Sequence, residues 1–173
     1  MESPVTHSRS EQAGMSAATI LVVDDDPATL LACHKKLSAE GFVVLQAVGS
    51  SEALKLFAEH ESTIHLVLSD VTLPPPGFQL SVENNPFPRV NGLELVDRLL
   101  ASGKELRVML MSAIPEQDLL SRGLLRNNML FIRKPINADT LYAMVRQILN
   151  GPPSVLDQGK SAASTKNEVE WFG

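Results

Sequence analysis

The chain has 173 residues, of which 44% are hydrophobic, and this length suits one α/β domain with a buried core. A formal net charge of −5 gives no bulk attraction to nucleic acid or to an anionic membrane, so we expect neither as a partner. The one cysteine, Cys33, leaves no internal disulfide and no thiolate zinc set, which favours a cytoplasmic location.

The two ends of the chain differ in composition from its centre. Residues 1–18 are polar and lack the apolar stretch of a signal peptide or membrane span, so we expect a flexible segment there. Residues 151–173 also suit a flexible tail, although Trp171 and Phe172 allow a second interpretation as a docking peptide. The predicted domain therefore covers residues 19–150.

Within that domain, apolar runs alternate with helical patterns, which is typical of βαβ units and a parallel sheet. The predicted strands are Thr19–Val23, Phe42–Ala47, Ile64–Ser69, Leu106–Met111 and Leu130–Arg133. Helix starts are predicted at Asp26 before Pro27, at Ser50 or Ser51, at Asn91-Gly92 and near Asn137. Between the third strand and Asn91 the chain is too long and too rich in proline for an ordinary connection, which predicts an inserted loop at about residues 74–90.

Carboxylates follow two of the predicted strands. Asp24 and Asp25 come directly after the first strand, and Asp70 closes the third. Because the carboxyl ends of parallel strands line one crevice, we expect these three side chains to face each other. Two such charges about 4 Å apart repel by roughly 4 kcal/mol near a protein surface. The pattern therefore calls for a cation, for which oxygen ligands favour Mg²⁺, or for protonation of one acid.

Two further side chains point to the same edge, because Ser112 follows the fourth strand and Lys134 the fifth. Asp70 would be a carboxylate nucleophile that takes a phosphoryl group to give an acyl phosphate. Asp25, with Asp24 close by, would hold Mg²⁺ against the carboxylate and the phosphoryl oxygens. Lys134 would bring a compact positive charge to one phosphate oxygen, and the Ser112 hydroxyl would donate to another.

Five motifs in this order resemble the receiver domain of two-component response regulators. They are Ile20–Pro27, Ser69–Pro74, Asn91–Leu93, Met111–Ala113 and Phe131–Pro135. No one of them is diagnostic, but five in sequence, each at a strand end or a helix start, are strong evidence. The resemblance implies a flavodoxin-like, doubly wound, five-stranded parallel sheet with helices on both faces. It also implies a stand-alone receiver, since no folded effector and no basic helices are evident after residue 150.

The resemblance assigns roles to the residues at this edge. It implies that Asp70 accepts phosphate from a histidine kinase or a histidine phosphotransfer protein. Mg²⁺ would lie on Asp25, Asp70 and the backbone carbonyl of Thr72, with Asp24 acting through water. The bond from Lys134 to the following proline would be cis. The domain would assist only its own phosphoryl transfer and hydrolysis, and would not be an enzyme in the ordinary sense.

The resemblance also makes Ser112 and Phe131 a switch pair that responds to the added phosphoryl charge. Their movement would remodel the surface of the fourth helix, fifth strand and fifth helix, either for an unknown protein target or for a phosphorylation-linked dimer. Thr72 and Ile114 occupy the two variable positions that, in the family, border the path of attacking water. Neither residue is charged, which predicts slow self-dephosphorylation. The inserted loop departs from the family pattern, and our hypothesis is that it shields the acyl phosphate or contributes to partner choice.

Two other functions remain open at this point. In a haloacid-dehalogenase-type phosphatase, Asp24 would be the nucleophile and Asp26 the acid. Ser112 and Lys134 would be the site residues that follow later in the chain. That assignment needs a further acidic pair beyond the lysine and leaves Asp70 without a role. Alternatively, the chain is a binding module that keeps the fold without being phosphorylated.

Overall fold

The computed structural model of the chain describes residues 17–74 and 90–155. Its strands are β1 (Thr19–Val23), β2 (Val43–Ala47), β3 (Ile64–Asp70), β4 (Arg107–Ser112) and β5 (Leu130–Arg133). Its helices are α1 (Pro27–Ala39), α2 (Ser50–His60), α3 (Gly92–Leu100), α4 (Glu116–Ser121) and α5 (Ala138–Asn150). The strands form one parallel sheet in the order β2-β1-β3-β4-β5, which confirms the predicted flavodoxin-like fold.

Helices cover both faces of this sheet. All five residues of β1 are buried, and its four apolar residues alternate between two apolar clusters. Leu21 and Val23 pack with α2 and α3, whereas Ile20 and Val22 pack with α1 and α5. Burial on both faces explains why the central strands are continuous apolar runs rather than alternating patterns.

The predicted strand bounds agree with the structure to within one residue at each end. The residue pattern alone did not indicate α4, which has six residues and buries only Leu119. So short a helix carries too few apolar positions for a 3.6-residue period to be recognised. Of the described helices, none has the length and apolar character needed to cross a bilayer.

Helix capping follows the prediction at three of four starts. Asp26 caps α1, with its carboxylate accepting from the backbone N–H groups of Ala28 and Thr29 at 3.1 and 3.2 Å. Asn91 and Asn137 cap α3 and α5 through their side-chain oxygens. Each cap satisfies an N–H group that has no partner within the helix.

The predicted serine cap of α2 is wrong. The residue at the N-cap is Gly49, which has no side chain to accept from the first N–H groups of the helix. The Ser50 hydroxyl instead accepts a hydrogen bond from the backbone N–H of Val90 at 2.7 Å. Since Ser50 and Val90 are both buried, this bond satisfies a donor that water cannot reach.

Residues 151–155, the start of the segment predicted to be a flexible tail, are bonded to β4 and the residue before it. The Ser154 N–H donates to the Leu106 carbonyl at 2.8 Å, and the Ser154 hydroxyl accepts from the Val108 N–H at 3.0 Å. Arg107 donates to the Gly151 carbonyl through Nε and Nη2. The rest of this segment with Trp171 and Phe172, residues 1–16, and the inserted loop over residues 75–89 lie outside the described residues.

Candidate functional site

Strands β1 and β3 bring two carboxylates to one edge of the sheet. Asp24 follows β1 directly, Asp70 is the last residue of β3, and the register places Val23 beside Ser69. The Asp24 N–H donates to the Ala47 carbonyl, which continues the pairing of β1 with β2 and fixes the backbone at this point. Asp24 is fully buried, Asp70 is 4% exposed, and a carboxylate oxygen of each lies within 4.8 Å of the other, so the expectation that the two acids meet at a common edge is confirmed.

Asp25 completes a group of three acids. One carboxylate oxygen from each of Asp24, Asp25 and Asp70 lies within 4.8 Å of the other two. Asp25 is exposed, so the cluster opens to solvent on that side. A compact set of oxygen ligands with one open side fits Mg²⁺, which keeps several waters and binds through one or two carboxylates.

Lys134 supplies the positive charge within the protein itself. Its Nζ lies 2.5 Å from Asp24 Oδ2 and 2.7 Å from Asp70 Oδ2, so one ammonium bridges both buried acids. The Lys134 N–H donates to the Ser112 carbonyl at 2.9 Å, which ties the residue after β5 to the end of β4. The bond from Lys134 to Pro135 is cis, as the resemblance implied.

Burial and pairing act in opposite directions on these groups. Burial raises the pKa of Asp24, and its hydrogen bonds from Lys134 and the Asp26 N–H only partly offset this effect. Burial also disfavours the ammonium of Lys134, but its hydrogen bonds to Asp24 and Asp70 outweigh that effect and raise the pKa of this lysine. The lysine therefore stays protonated beside acids that lie deeper than it does, with 15% of its side chain exposed against none for Asp24.

Both oxygens of Asp70 have partners. Oδ2 faces Lys134, while Oδ1 accepts from the N–H and the hydroxyl of Thr72 at 2.9 and 3.0 Å. The start of α3 presses on the backbone of the same residue, because a Cβ atom placed on Gly92 would lie 2.0 Å from the Asp70 carbonyl oxygen. Sequence reasoning noted Gly92 as part of a motif but missed this packing role. The feature of the sequence that could have indicated it is a glycine directly after the capping Asn91.

A family model described as the response regulator receiver domain matches residues 20–146. The chain belongs to this family. The receiver family is a signalling family rather than a class of ordinary enzymes.

The relatives of this receiver domain are mostly longer proteins. The DNA-binding transcriptional regulator NtrC of Azospirillum brasilense is 28% identical over 82% of this chain and 27% of its own length. Response regulator MprA of Mycolicibacterium vanbaalenii is 29% identical over 87% of this chain and 58% of its own. Among solved structures, a receiver domain protein from Clostridium thermocellum is 22% identical and superposes with a TM-score of 0.62, over 77% of this chain and 94% of that one. That likeness shows the shared fold.

The two residues predicted as a switch pair lie on the neighbouring strands of this receiver domain. Ser112 is fully buried at the end of β4, and its hydroxyl accepts from the Ile114 N–H at 3.1 Å. Phe131 pairs with Leu110 in the sheet and is partly buried against the cluster that contains α2 and α3. Ser112 is therefore at the carboxylate edge, whereas Phe131 lies one strand further out.

Asp26, the acid of the alternative phosphatase assignment, is fully exposed and belongs to the cap of α1. Its carboxylate accepts from the Thr29 hydroxyl at 2.7 Å as well as from two backbone N–H groups, and these bonds lower its pKa. A general acid must hold a proton at neutral pH, which a depressed pKa opposes. Asp26 is thus poorly suited to act as that acid, and the match to the receiver family leaves the phosphatase alternative without support.

Proposed function

We propose that this chain is a phosphorylation-dependent response regulator that accepts a phosphoryl group on Asp70 from a histidine kinase or a histidine phosphotransfer protein. The observation that carries the proposal is the bridge from Lys134 to Asp70 and Asp24, beside the open side of the cluster at Asp25. This arrangement suits a carboxylate that must become an acyl phosphate without losing its charge partners.

In the proposed transfer, an oxygen of Asp70 forms a bond to phosphorus while the P–N bond of the donor phosphohistidine breaks. Mg²⁺ would be held by Asp25, by Asp70 and by the backbone carbonyl of Thr72, with Asp24 acting through water. When bound, the ion would neutralise charge between the carboxylate and the phosphoryl oxygens. The Lys134 ammonium would donate to a phosphoryl oxygen, and its bond to Asp24 would keep it at the site.

The proposed output is a change of surface. A phosphoryl group adds roughly −1.5 to −2 charges at neutral pH, which would draw the Ser112 hydroxyl away from the Ile114 N–H and let Phe131 turn inward. Moving such a two-state element from 1:99 to 99:1 needs about 5.5 kcal/mol of preference. We place the response on a protein target in the cytoplasm or on a second copy of the chain, a choice supported by the net charge of −5 and the unpaired thiol of Cys33.

Phosphotransfer to wild type and Asp70→Asn tests the proposal directly. Phosphorylated kinases and acetyl phosphate serve as donors with Mg²⁺ present, and Asp118→Asn, which removes an exposed acid in α4, serves as the matched control. We expect label on wild type and the control but not on Asp70→Asn. Label on Asp24 would favour the phosphatase, and no label from any donor would favour an unphosphorylated binding module.

The lifetime of the phosphoryl group tests the environment of Asp70. Thr72 is exposed and Ile114 is partly buried against the core, and neither side chain carries a charge that would attract or orient water. We therefore expect slow loss of phosphate from the purified protein, and a half-life of seconds would contradict that expectation. Adding a chelator after labelling shows how much of the loss depends on Mg²⁺.

A further inference from the structure

A lysine of α1 reaches the loop that carries Lys134. Lys36 lies in the last turn of α1, is half-buried, and places its Nζ 2.5 Å from the carbonyl oxygen of Ile136. One hundred residues separate the two partners along the chain. The bond therefore joins the first helix to the turn between β5 and α5, two residues after the lysine that bridges the buried acids.

The same turn is held at its other points by ordinary contacts. The Lys134 N–H donates to the Ser112 carbonyl, the Ile136 side chain packs against the apolar cluster of α1 and α5, and Asn137 caps α5. Pro135 has no N–H to donate, so it adds no backbone hydrogen bond of its own. The ammonium of Lys36 thus supplies a charge-assisted bond in the middle of a turn whose ends are fixed by β4 and α5.

The position of this turn decides where the Lys134 ammonium can reach. Lys134 must approach Asp24 Oδ2 and Asp70 Oδ2 together, at 2.5 and 2.7 Å, and hydrogen bonds of this kind need both a short separation and a well-aligned donor. A displacement of about 1 Å caused by a change away from the chemistry can reduce a rate about 100-fold. A bond that restrains the turn consequently acts on the reacting groups without touching them.

We propose that Lys36 is a positioning residue for phosphoryl transfer, acting through the Ile136 carbonyl to hold Lys134 against Asp70. The proposal rests on the proposed function and adds a residue outside the carboxylate edge to it. Lys36 contacts neither the acids nor the phosphoryl group in this scheme. Its contribution is to keep the ammonium of Lys134 in place when the charge at Asp70 changes.

The test compares Lys36→Met, which keeps a long unbranched side chain but loses the ammonium, with Lys36→Arg, which keeps the positive charge and the hydrogen-bond donors. Lys35→Met is the matched control, because Lys35 is the exposed neighbour in the same helix. Initial rates of phosphorylation are measured on the full chain with Mg²⁺ over a range of acetyl phosphate concentrations. We expect Lys36→Met to lower the maximal rate about tenfold, Lys36→Arg to restore most of it, and Lys35→Met to match wild type.

Two further readouts separate positioning from loss of structure. A merely structural role would lower the fraction of protein that can be labelled while the rate constant of the labelled fraction stayed the same, whereas positioning lowers the rate constant at full stoichiometry. If Lys36→Met does not fold, Lys36→Gln replaces it, with the same expected loss and the same rescue by Arg. Wild-type rates in the Met or Gln variant, or an Arg variant as slow as they are, would overturn the inference. Absence of label on wild-type Asp70 would instead overturn the proposed function.

Discussion

The two edges of the sheet differ in how their polar and charged side chains find partners. At the amino-terminal edge, polar side chains bond to backbone groups, as Arg107 does to the Gly151 carbonyl and Ser154 to the Val108 N–H. At the carboxyl-terminal edge, Asp24 and Asp70 bond to Lys134, and each charge depends on the others. At the first edge the bonds join side chains to backbone groups and need no further charge. At the second edge three carboxylates face one ammonium, so the negative charge there exceeds the positive charge and favours binding of a further cation.

Two lysines make the contrast concrete. Lys104, near the amino-terminal edge, donates to the Ile64 carbonyl at 3.0 Å and lies over the ring of Phe57, and burial lowers its pKa. Burial also opposes the charge of Lys134, but two carboxylates reverse the outcome and raise its pKa. A buried ammonium paired with carboxylates therefore stays protonated. Removing the lysine leaves those acids without a counter-charge.

The largest expected effect is therefore at Lys134. Lys134→Met leaves Asp24 and Asp70 buried without their cation, and breaking a buried pair in this way costs about 3–5 kcal/mol. We expect urea unfolding without Mg²⁺ to show a loss of this order, and added Mg²⁺ to recover part of it. Lys104→Met, at the other edge, is the matched control and should cost less. Equal losses in the two variants would break the comparison between the edges.

The next effect is steric and acts on the backbone of Asp70. Gly92→Ala would put a Cβ atom 2.0 Å from the Asp70 carbonyl oxygen, so α3 or the end of β3 must move, at a cost of about 1–3 kcal/mol. Gly49→Ser is the control, because no atom lies within 4 Å of a Cβ at that position and serine is well accepted at the N-cap of a helix. We expect Gly92→Ala also to slow labelling of Asp70 by acetyl phosphate. A variant with wild-type stability and wild-type labelling would show that this contact is easily relieved.

Sequence reasoning predicted the carboxylate edge well, and the reason is topological. Residues that directly follow strands are placed by the parallel sheet itself, so Asp24, Asp70 and Ser112 could be assigned to one edge from strand ends alone. The bridge from Lys134 follows the same rule, since it comes directly after β5. Local caps at Asp26 and the two asparagines were predictable for a similar reason, because their partners lie two or three residues away.

What the sequence did not predict depends on partners far apart along the chain. Ser50 bonds to Val90 instead of capping α2, Ser154 bonds to β4, and Lys36 bonds to a carbonyl one hundred residues away. None of these pairs has a local pattern, because each needs two elements to be docked first. The close approach of Gly92 to Asp70 is of the same kind, since only the packed structure shows which atom a side chain would meet.

A smaller effect is expected from the amino-terminal edge. Ser154→Ala removes the hydroxyl that accepts from the Val108 N–H, which should cost about 1 kcal/mol in the free energy of unfolding. Ser38→Ala, an exposed serine in α1, is the control and should stay within about 0.5 kcal/mol of wild type. Labelling of Asp70 should be unchanged in both variants, because this edge holds no charge that the site needs. A slower reaction in Ser154→Ala would show that the two edges are coupled.

The smallest effect at neutral pH is expected at Cys33 in α1. Burial, with the Asp24 charge in addition, raises the pKa of this thiol from 9.0 to about 11. The folded protein therefore holds the thiol proton more tightly than the unfolded chain, so the contribution to stability is complete below pH 9 and is lost as the pH rises through 11. The loss of unfolding free energy begins near pH 9 and grows as the pH rises above it. We expect urea unfolding between pH 8 and pH 10 to fall more steeply for wild type than for Cys33→Ala. Parallel pH dependences would show that burial in the first helix does not hold the thiol proton in the folded protein.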